Sequence, residues 1–155
     1  VGPRGRRTLL ASDSTGTGIE LDAPYAVEVL TSSVGLQVLV ADEATDALIV
    51  VDPVTLERTQ FPGFDDALST PRGLLKDPNR DVLYVSDFGR RLVYRFDLGT
   101  QQRTVLGSAS VGRGVRMTAP VNLTYHPDDY LIVVDNNDAL IAIDLATSER
   151  VYLSK

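Results

Sequence analysis

Asp52-Pro53-Val54-Thr55-Leu56-Glu57-Arg58 recurs in outline as Asp97-Leu98-Gly99-Thr100-Gln101-Gln102-Arg103 and again as Asp144-Leu145-Ala146-Thr147-Ser148-Glu149-Arg150. The three copies of Asp-x-x-Thr-x-x-Arg start 45 and 47 residues apart, and each follows an apolar run rich in β-forming residues. A period of that size marks stacked supersecondary units, none of which can bury its apolar face alone.

Around each copy lie four short runs of Val, Ile, Leu and Tyr with the alternation of strands. The first unit has Ala26–Leu30, Gln37–Ala41, Ala47–Val51 and Arg58–Phe61; the second has Gly73–Leu75, Val82–Ser86, Leu92–Phe96 and Arg103–Leu106. The third has Asn122–Tyr125, Tyr130–Val134, Ala139–Ile143 and Arg150–Leu153. No segment sustains a helical period with caps, so a βαβ fold is not expected. Asp42, Asp87 and Asp135 close the second strand of each unit, and Asp52, Asp97 and Asp144 the third. A short carboxylate in such a place accepts backbone N–H groups and holds a turn. The Arg that opens the fourth strand is expected to reach back to the Asp of its own hairpin. A repeated acidic residue therefore reads as turn chemistry.

Pro24, Pro71 and Pro120 open the first strands, where a missing N–H is tolerated. A leftover run, Arg7–Ala11, matches the fourth strand of a further unit. Residues 7–24 also align without gaps to 103–120, an offset of 96, with Arg7/Arg103, Leu10/Leu106, Gly16/Gly112, Gly18/Gly114 and Pro24/Pro120 among the identities. The link Pro62–Thr70 is shorter, so long and short links alternate. The organisation expected is one all-β domain: 1–22 an outer strand of a preceding or swapped unit plus a connector, then units at 23–63, 64–107 and 108–155.

The chain has 155 residues, 43% of them apolar and 23% charged, the composition of a globular protein rather than a disordered one. A net charge of −6 argues against nucleic-acid binding, which needs a basic face. There is no cysteine, which removes disulfides, thiolate catalysis and cysteine-ligated zinc. No apolar run approaches the ~18 residues of a membrane span. The lack of cysteine fits the cytoplasm and equally a bacterial extracytoplasmic protein; the expectation is an extracytoplasmic location, slightly favoured over a cytoplasmic one.

Pro71-Arg72-Gly73, then Tyr84-Val85-Ser86-Asp87, then Arg91 to Asp97 follow the blade pattern of the NHL-type β-propeller, with Val40-Ala41-Asp42 and Val133-Val134-Asp135 at matching places. The chain resembles that family from Arg7 onward. The resemblance implies a propeller segment of about three four-stranded antiparallel blades plus one extra N-terminal strand, in a family whose rings usually have six. Three blades do not close a ring. The expected completion is a longer polypeptide, a protein partner or a second copy of the chain.

In such propellers ligands sit at the mouth of the central channel, where first strands begin. Tyr25, Arg72 and Asn122, just after the three prolines, are the candidate ligand-binding residues, with Asp22 and Arg116 in the connectors. They differ between units, as a site must where structural positions repeat. Gly16-Thr17-Gly18 and Gly112-Arg113-Gly114 precede no helix and so do not read as phosphate loops. His126 is the only histidine and lies in the turn Tyr125-His126-Pro127-Asp128-Asp129. It has no Gly-x-Ser-x-Gly elbow to serve and cannot make a zinc site alone. Asp135-Asn136-Asn137-Asp138 is rich in oxygen but is composed as a hairpin turn.

No catalytic residue and no metal ligand is assigned, and no cofactor is expected. The function expected is a non-catalytic scaffold for protein or glycan contact. The alternative is a lactonase-like or sugar-acid hydrolase-like propeller holding a divalent cation such as calcium in its channel. The Glu-Gly-Pro and Pro-Asn-Gly signatures of those enzymes are missing; Tyr25-Ala26, Arg72-Gly73 and Val121-Asn122 follow the prolines instead.

Overall fold

The computed structural model describes Leu9, Ala11, Ser12, residues 14–32 and residues 35–154. Among them there is no helix. Thirteen strands run in order: β1 (Thr17–Gly18), β2 (Pro24–Ser32), β3 (Gly35–Asp42), β4 (Ala47–Val51), β5 (Glu57–Gln60), β6 (Pro71–Lys76), β7 (Val82–Asp87), β8 (Leu92–Asp97), β9 (Gln102–Gly107), β10 (Pro120–His126), β11 (Tyr130–Asp135), β12 (Ala139–Asp144) and β13 (Arg150–Ser154). They form three sheets, each a four-stranded antiparallel meander, and β1 adds a fifth strand to the first, parallel to β5. All twelve expected strands are present. The extra N-terminal strand is Thr17–Gly18, whereas most of Arg7–Ala11, the run expected to supply it, lies outside the described residues.

The strands pack because their alternation is double-sided. On the second sheet, Leu83, Val85, Tyr94 and Phe96 face the first sheet and Val82, Tyr84 and Val93 face the third, all buried. One apolar core joins Leu39, Leu48 and Val50 to Leu74, Leu83 and Phe96; the other joins Tyr84, Val93 and Leu106 to Leu123, Leu131 and Ile141. Phe61, Phe64 and Leu68 of the short link insert into the first core, with the Phe64 and Phe96 rings 5.2 Å apart and Phe64 edge-on to Tyr94 at 5.7 Å. Aromatic pairs at such separations add to the burial itself.

The three prolines each begin a bulge. Pro24 is opposite Asp42 and the next pair is Ala26 with Ala41, so Tyr25 is the extra residue; the same step leaves out Arg72 and Val121. Proline fits there because the ladder is interrupted.

Each repeated Asp ties two segments together. The buried Asp42 carboxylate accepts the N–H groups of Asp22 and Ala23, at the end of the incoming link, and that of Thr45 in the next turn. Asp87 does so for Ser69 and Arg90, and Asp135 for Thr118, Ala119 and Asn137. Asp52, Asp97 and Asp144 accept the N–H of Thr55, Thr100 and Thr147 in their hairpins. The turn reading is therefore correct, and the second-strand carboxylates also anchor each sheet to its link.

The expectation for the arginines is wrong. Arg58, Arg103 and Arg150 turn away from their hairpin aspartates and donate to carbonyls of the link that leads into their own sheet. Arg58 Nε bonds Ile19 O at 2.5 Å, and its Nη1 bonds Ser12 O and Thr15 O. Arg150 Nε bonds Val115 O at 2.8 Å, and its Nη1 reaches Val111 O. Arg103 Nη1 bonds Gly63 O at 2.7 Å while its guanidinium lies over Phe64 and Tyr94, 5.2 Å from each ring centre. The Asp is already satisfied by backbone N–H groups at the turn, which leaves the Arg free to donate to carbonyls of the link.

This contact also accounts for the Gly-x-Gly links. Gly112 and Gly114 have φ of +78° and +95°, and a Cβ on either would lie about 2 Å from the Ser148 or Arg150 carbonyl oxygen. Only glycine lets the link run this close to the strand.

Candidate functional site

Where the links enter β2, β6 and β10, the backbone repeats closely. Glu43, Phe88 and Asn136, each following a buried Asp, donate their N–H to the carbonyls of Ala23, Thr70 and Ala119. The side chains there do not repeat. The bulge carries Tyr25, Arg72 and Val121, and the facing turn carries Glu43, Phe88 and Asn136.

Two of the three candidate residues meet. Tyr25 is exposed at the start of β2, and the Arg72 guanidinium lies 5.1 Å from its ring centre. The Arg72 guanidinium also lies over Phe88, 3.8 Å from that ring centre. Its edge forms a bidentate pair with Glu43, Nε to Oε2 at 2.6 Å and Nη2 to Oε1 at 3.1 Å. That hydrogen bond raises the affinity of Arg72 for its proton, against the opposing effect of burial. Glu43 belongs to the first sheet and Arg72 to the second, so the pair bridges the two at the rim. A fork-to-fork geometry fixes the guanidinium plane as well as its position.

Asn122 is placed differently. Because Val121 is the bulge residue of β10, Asn122 stands in register with Gly73 and Ala26 rather than with Arg72 and Tyr25. Its Oδ1 accepts the N–H of Leu123 at 2.8 Å. A Cβ on Gly73 would press on Ser86 Oγ at 2.5 Å and Val121 O at 2.6 Å, so the inner strands of the second and third sheets approach closely beside it. Ser86 Oγ donates to Val121 O across this contact. Of the connector residues, Asp22 is exposed with its N–H on Asp42, and Arg116 is exposed beside Thr118 and Asn137.

Three sheets packed face to face in sequence order, inner strands β2, β6 and β10 adjacent and links crossing from outer to inner strand, define the architecture. The fold is a β-propeller segment. Each sheet is a blade, numbered 1 to 3. Solved structures similar to it include the extracellular domains of two B. thetaiotaomicron proteins assigned to the hybrid two component systems. BT3049 is 14% identical with TM-score 0.62 over 86% of this chain and 19% of that one. BT4673 is 18% identical with TM-score 0.61 over 92% and 17%. Kuenenia stuttgartiensis hydrazine synthase is 17% identical with TM-score 0.57 over 92% and 38%. The chain thus spans well under half the length of each. No family model and no curated protein matches the sequence. Extracellular domains and an enzyme share this fold, so the fold alone does not choose between functions.

Glu43 and Phe88 were not among the sequence candidates. The signal for them was available: they occupy one position of the repeat, after the second-strand Asp, and differ from each other and from Asn136. His126 caps its own turn, its Nδ1 accepting the N–H of Asp128 at 3.3 Å. Among the described residues, no three of His, Cys, Asp and Glu gather as a metal site. No helix there is long and apolar enough to cross a membrane.

A second polar cluster bridges blades 2 and 3 at the opposite rim. Buried Asp77 accepts the Tyr84 hydroxyl at 3.0 Å and Arg80 Nη1 at 3.2 Å, and Arg80 Nη2 binds Asp129 at 2.5 Å. Burial acts to raise the Asp77 pKa, but these bonds and those from the N–H groups of Asn79 and Arg80 outweigh it and hold the carboxylate below its ordinary range. Burial, and then the bond to Asp77, push the Tyr84 hydroxyl pKa well up. The network is satisfied internally and braces the blades.

Proposed function

We propose that this chain is part of an NHL-type propeller that works as a non-catalytic, extracytoplasmic protein-interaction scaffold, with Tyr25 and Arg72 at the centre of its contact patch. One observation carries the reading: Arg72 is held by Glu43 and stacked on Phe88 beside an exposed tyrosine. Tyr and Arg dominate binding hot spots because they offer large area and directed donors. Here the arginine is already immobilised, so little side-chain freedom is lost on contact. The surrounding turns are the mobile-sequence part of a rigid frame, where binding residues are commonly placed. Extracellular domains among the structural neighbours support the location.

The test is binding of the purified chain to arrays of extracellular proteins and of glycans, with Tyr25→Ala and Arg72→Ala beside the wild type. The reading expects a protein ligand whose binding drops at least tenfold in both variants while thermal unfolding still shows a folded chain. Hydrolysis of a lactone panel in the presence of calcium, lost in Asn122→Ala, would overturn it. So would glycan binding indifferent to both substitutions.

A further inference from the structure

The seam between blades 1 and 2 and the seam between blades 2 and 3 correspond position by position. Blade 1 lines the first seam with Leu30, Leu39 and Val50, all buried in the apolar core there. The register puts Asp77, Tyr84 and Arg95 of blade 2 at those three places in the second seam. Three neighbouring apolar positions have thus become polar together. There the second seam opens as a pocket of ≈ 300 Å³, its polar lining made by Arg80, Tyr84, Arg95, Thr104, Asp129 and Ser148. Blades 2 and 3 supply both of its walls.

The bracing network accounts for two of the three changes, because the Tyr84 hydroxyl and Arg80 both donate to Asp77. Arg95 stands outside it. It is half-buried, and among the described residues its guanidinium makes no hydrogen bond and no ion pair. Its charge acts on Asp97 and on the Tyr84 hydroxyl, but neither bonds it. A guanidinium is all donor, and a carboxylate meets it in a coplanar fork. The first seam holds the equivalent pocket without that cation. Its cavity of ≈ 460 Å³ has Asp81, Gln101 and Thr59 where the second has Asp129, Ser148 and Thr104, but Val50 in place of Arg95, and no Lys or Arg in its lining.

We propose that the second seam binds a small hydroxy-carboxylate, its carboxylate on Arg95 and its hydroxyls on Asp129, Thr104 and Ser148. Charge selects the carboxylate. Arg80 is already engaged by Asp77 and Asp129, so Arg95 is the one cation of the lining without a partner among the described residues. A single negative charge balances it, whereas a phosphate dianion would set surplus charge beside Asp129. The rest of the lining selects hydroxyls. Asp129 keeps acceptor positions beyond its bonds to Arg80 and the Tyr125 hydroxyl, and Thr104 and Ser148 both donate and accept. The pocket lies at the rim opposite the Tyr25–Arg72 patch, so it is independent of what that patch binds.

Isothermal titration calorimetry on the 155-residue chain tests it, with glycerate and glucuronate as probes, glycerol and glucose as their neutral counterparts, and inorganic phosphate. At least one of the two acids should bind saturably, one per chain, and about tenfold or more tighter than its neutral counterpart and than phosphate. Arg95→Gln should weaken that binding by about tenfold or more while the urea midpoint stays near that of the wild type, because Arg95 bonds nothing else through its side chain. Ser148→Ala should weaken it by a smaller factor, and it tests the same pocket should Arg95→Gln not fold. Failure of both acids to bind overturns the proposal. So does binding of phosphate or of a neutral counterpart as tight as that of the acid, or acid binding that survives Arg95→Gln unchanged.

Discussion

The link from blade 1 to blade 2 and the link from blade 2 to blade 3 solve one problem with different chemistry. The first, residues 61–70, is short and held by side chains: Phe61, Phe64 and Leu68 are buried between the blades, and Arg103 covers Phe64 from outside. The second, residues 108–119, is longer and held by backbone: its carbonyls converge on buried Arg150, its two positive-φ glycines press against β13, and only Met117 is a large wholly buried side chain. The same repeat arginine serves both. It stays exposed where an aromatic link carries the packing and is buried where the link offers little but carbonyls. Arg150 accordingly has its proton affinity lowered by burial. Among the described residues no carboxylate pairs with it.

The largest effect that separates the links should come from Phe64→Ala. Removing a buried ring that contacts Phe61, Tyr94 and Phe96 costs about 3–5 kcal/mol, read as a fall in urea midpoint. A loss below about 1 kcal/mol would mean that the short link is not held by its aromatic insert. Next, Arg150→Leu should cost roughly 2–3 kcal/mol by removing the buried donor to the Val115 and Val111 carbonyls, and Arg103→Leu only about 1 kcal/mol. Equal losses for the two would erase the distinction between a buried and an exposed clamp.

Gly112→Ala comes third, at roughly 1–2 kcal/mol, because the new Cβ meets the Ser148 carbonyl at a positive φ. Gly99→Ala is the control. Its nearest neighbour would be 3.5 Å away and its φ is ordinary, so its midpoint should not fall.

The smallest effect is on acid response. Thr55, Thr100 and Thr147 N–H bonds hold Asp52, Asp97 and Asp144 below the ordinary carboxylate value of 3.8. Their contribution is complete above 3.8 and is lost as pH falls through their lower folded values. Asp87 is raised by burial, so what it contributes is present below 3.8 and lost as pH rises through its folded value. Asp97→Ala should therefore flatten the fall in melting temperature below pH 4 without shifting it at higher acidity. An unchanged slope would remove that aspartate from the turn's stability.

The strands were legible in the sequence because blade faces demand strict alternation, and the turns because Asp next to small polar residues has few other uses. The length of β2 was only partly legible: Pro24 was read as its opening, but the strand pairs on through Thr31 and Ser32, polar residues that look like a turn. The role of the arginines was missed because the motif is local while their partners are 35 to 46 residues away for Arg58, Arg103 and Arg150. The Tyr25–Arg72 contact was half visible, since both stood out as breaks in the repeat. Their partners Glu43 and Phe88 lay in turns whose conformation, not composition, brings them to the rim.

Because each arginine grips the link before its own blade, the natural unit of duplication is a link with the blade that follows it. Residues 108–154 would carry both Arg150 and the carbonyls it needs, whereas a copy of 120–154 would bring a buried cation into its new place with nothing to receive it. The 96-residue echo between 7–24 and 103–120 covers such a link with the strand end before it, and in each case the arginine that clamps the link, Arg58 or Arg150, comes with the blade that follows.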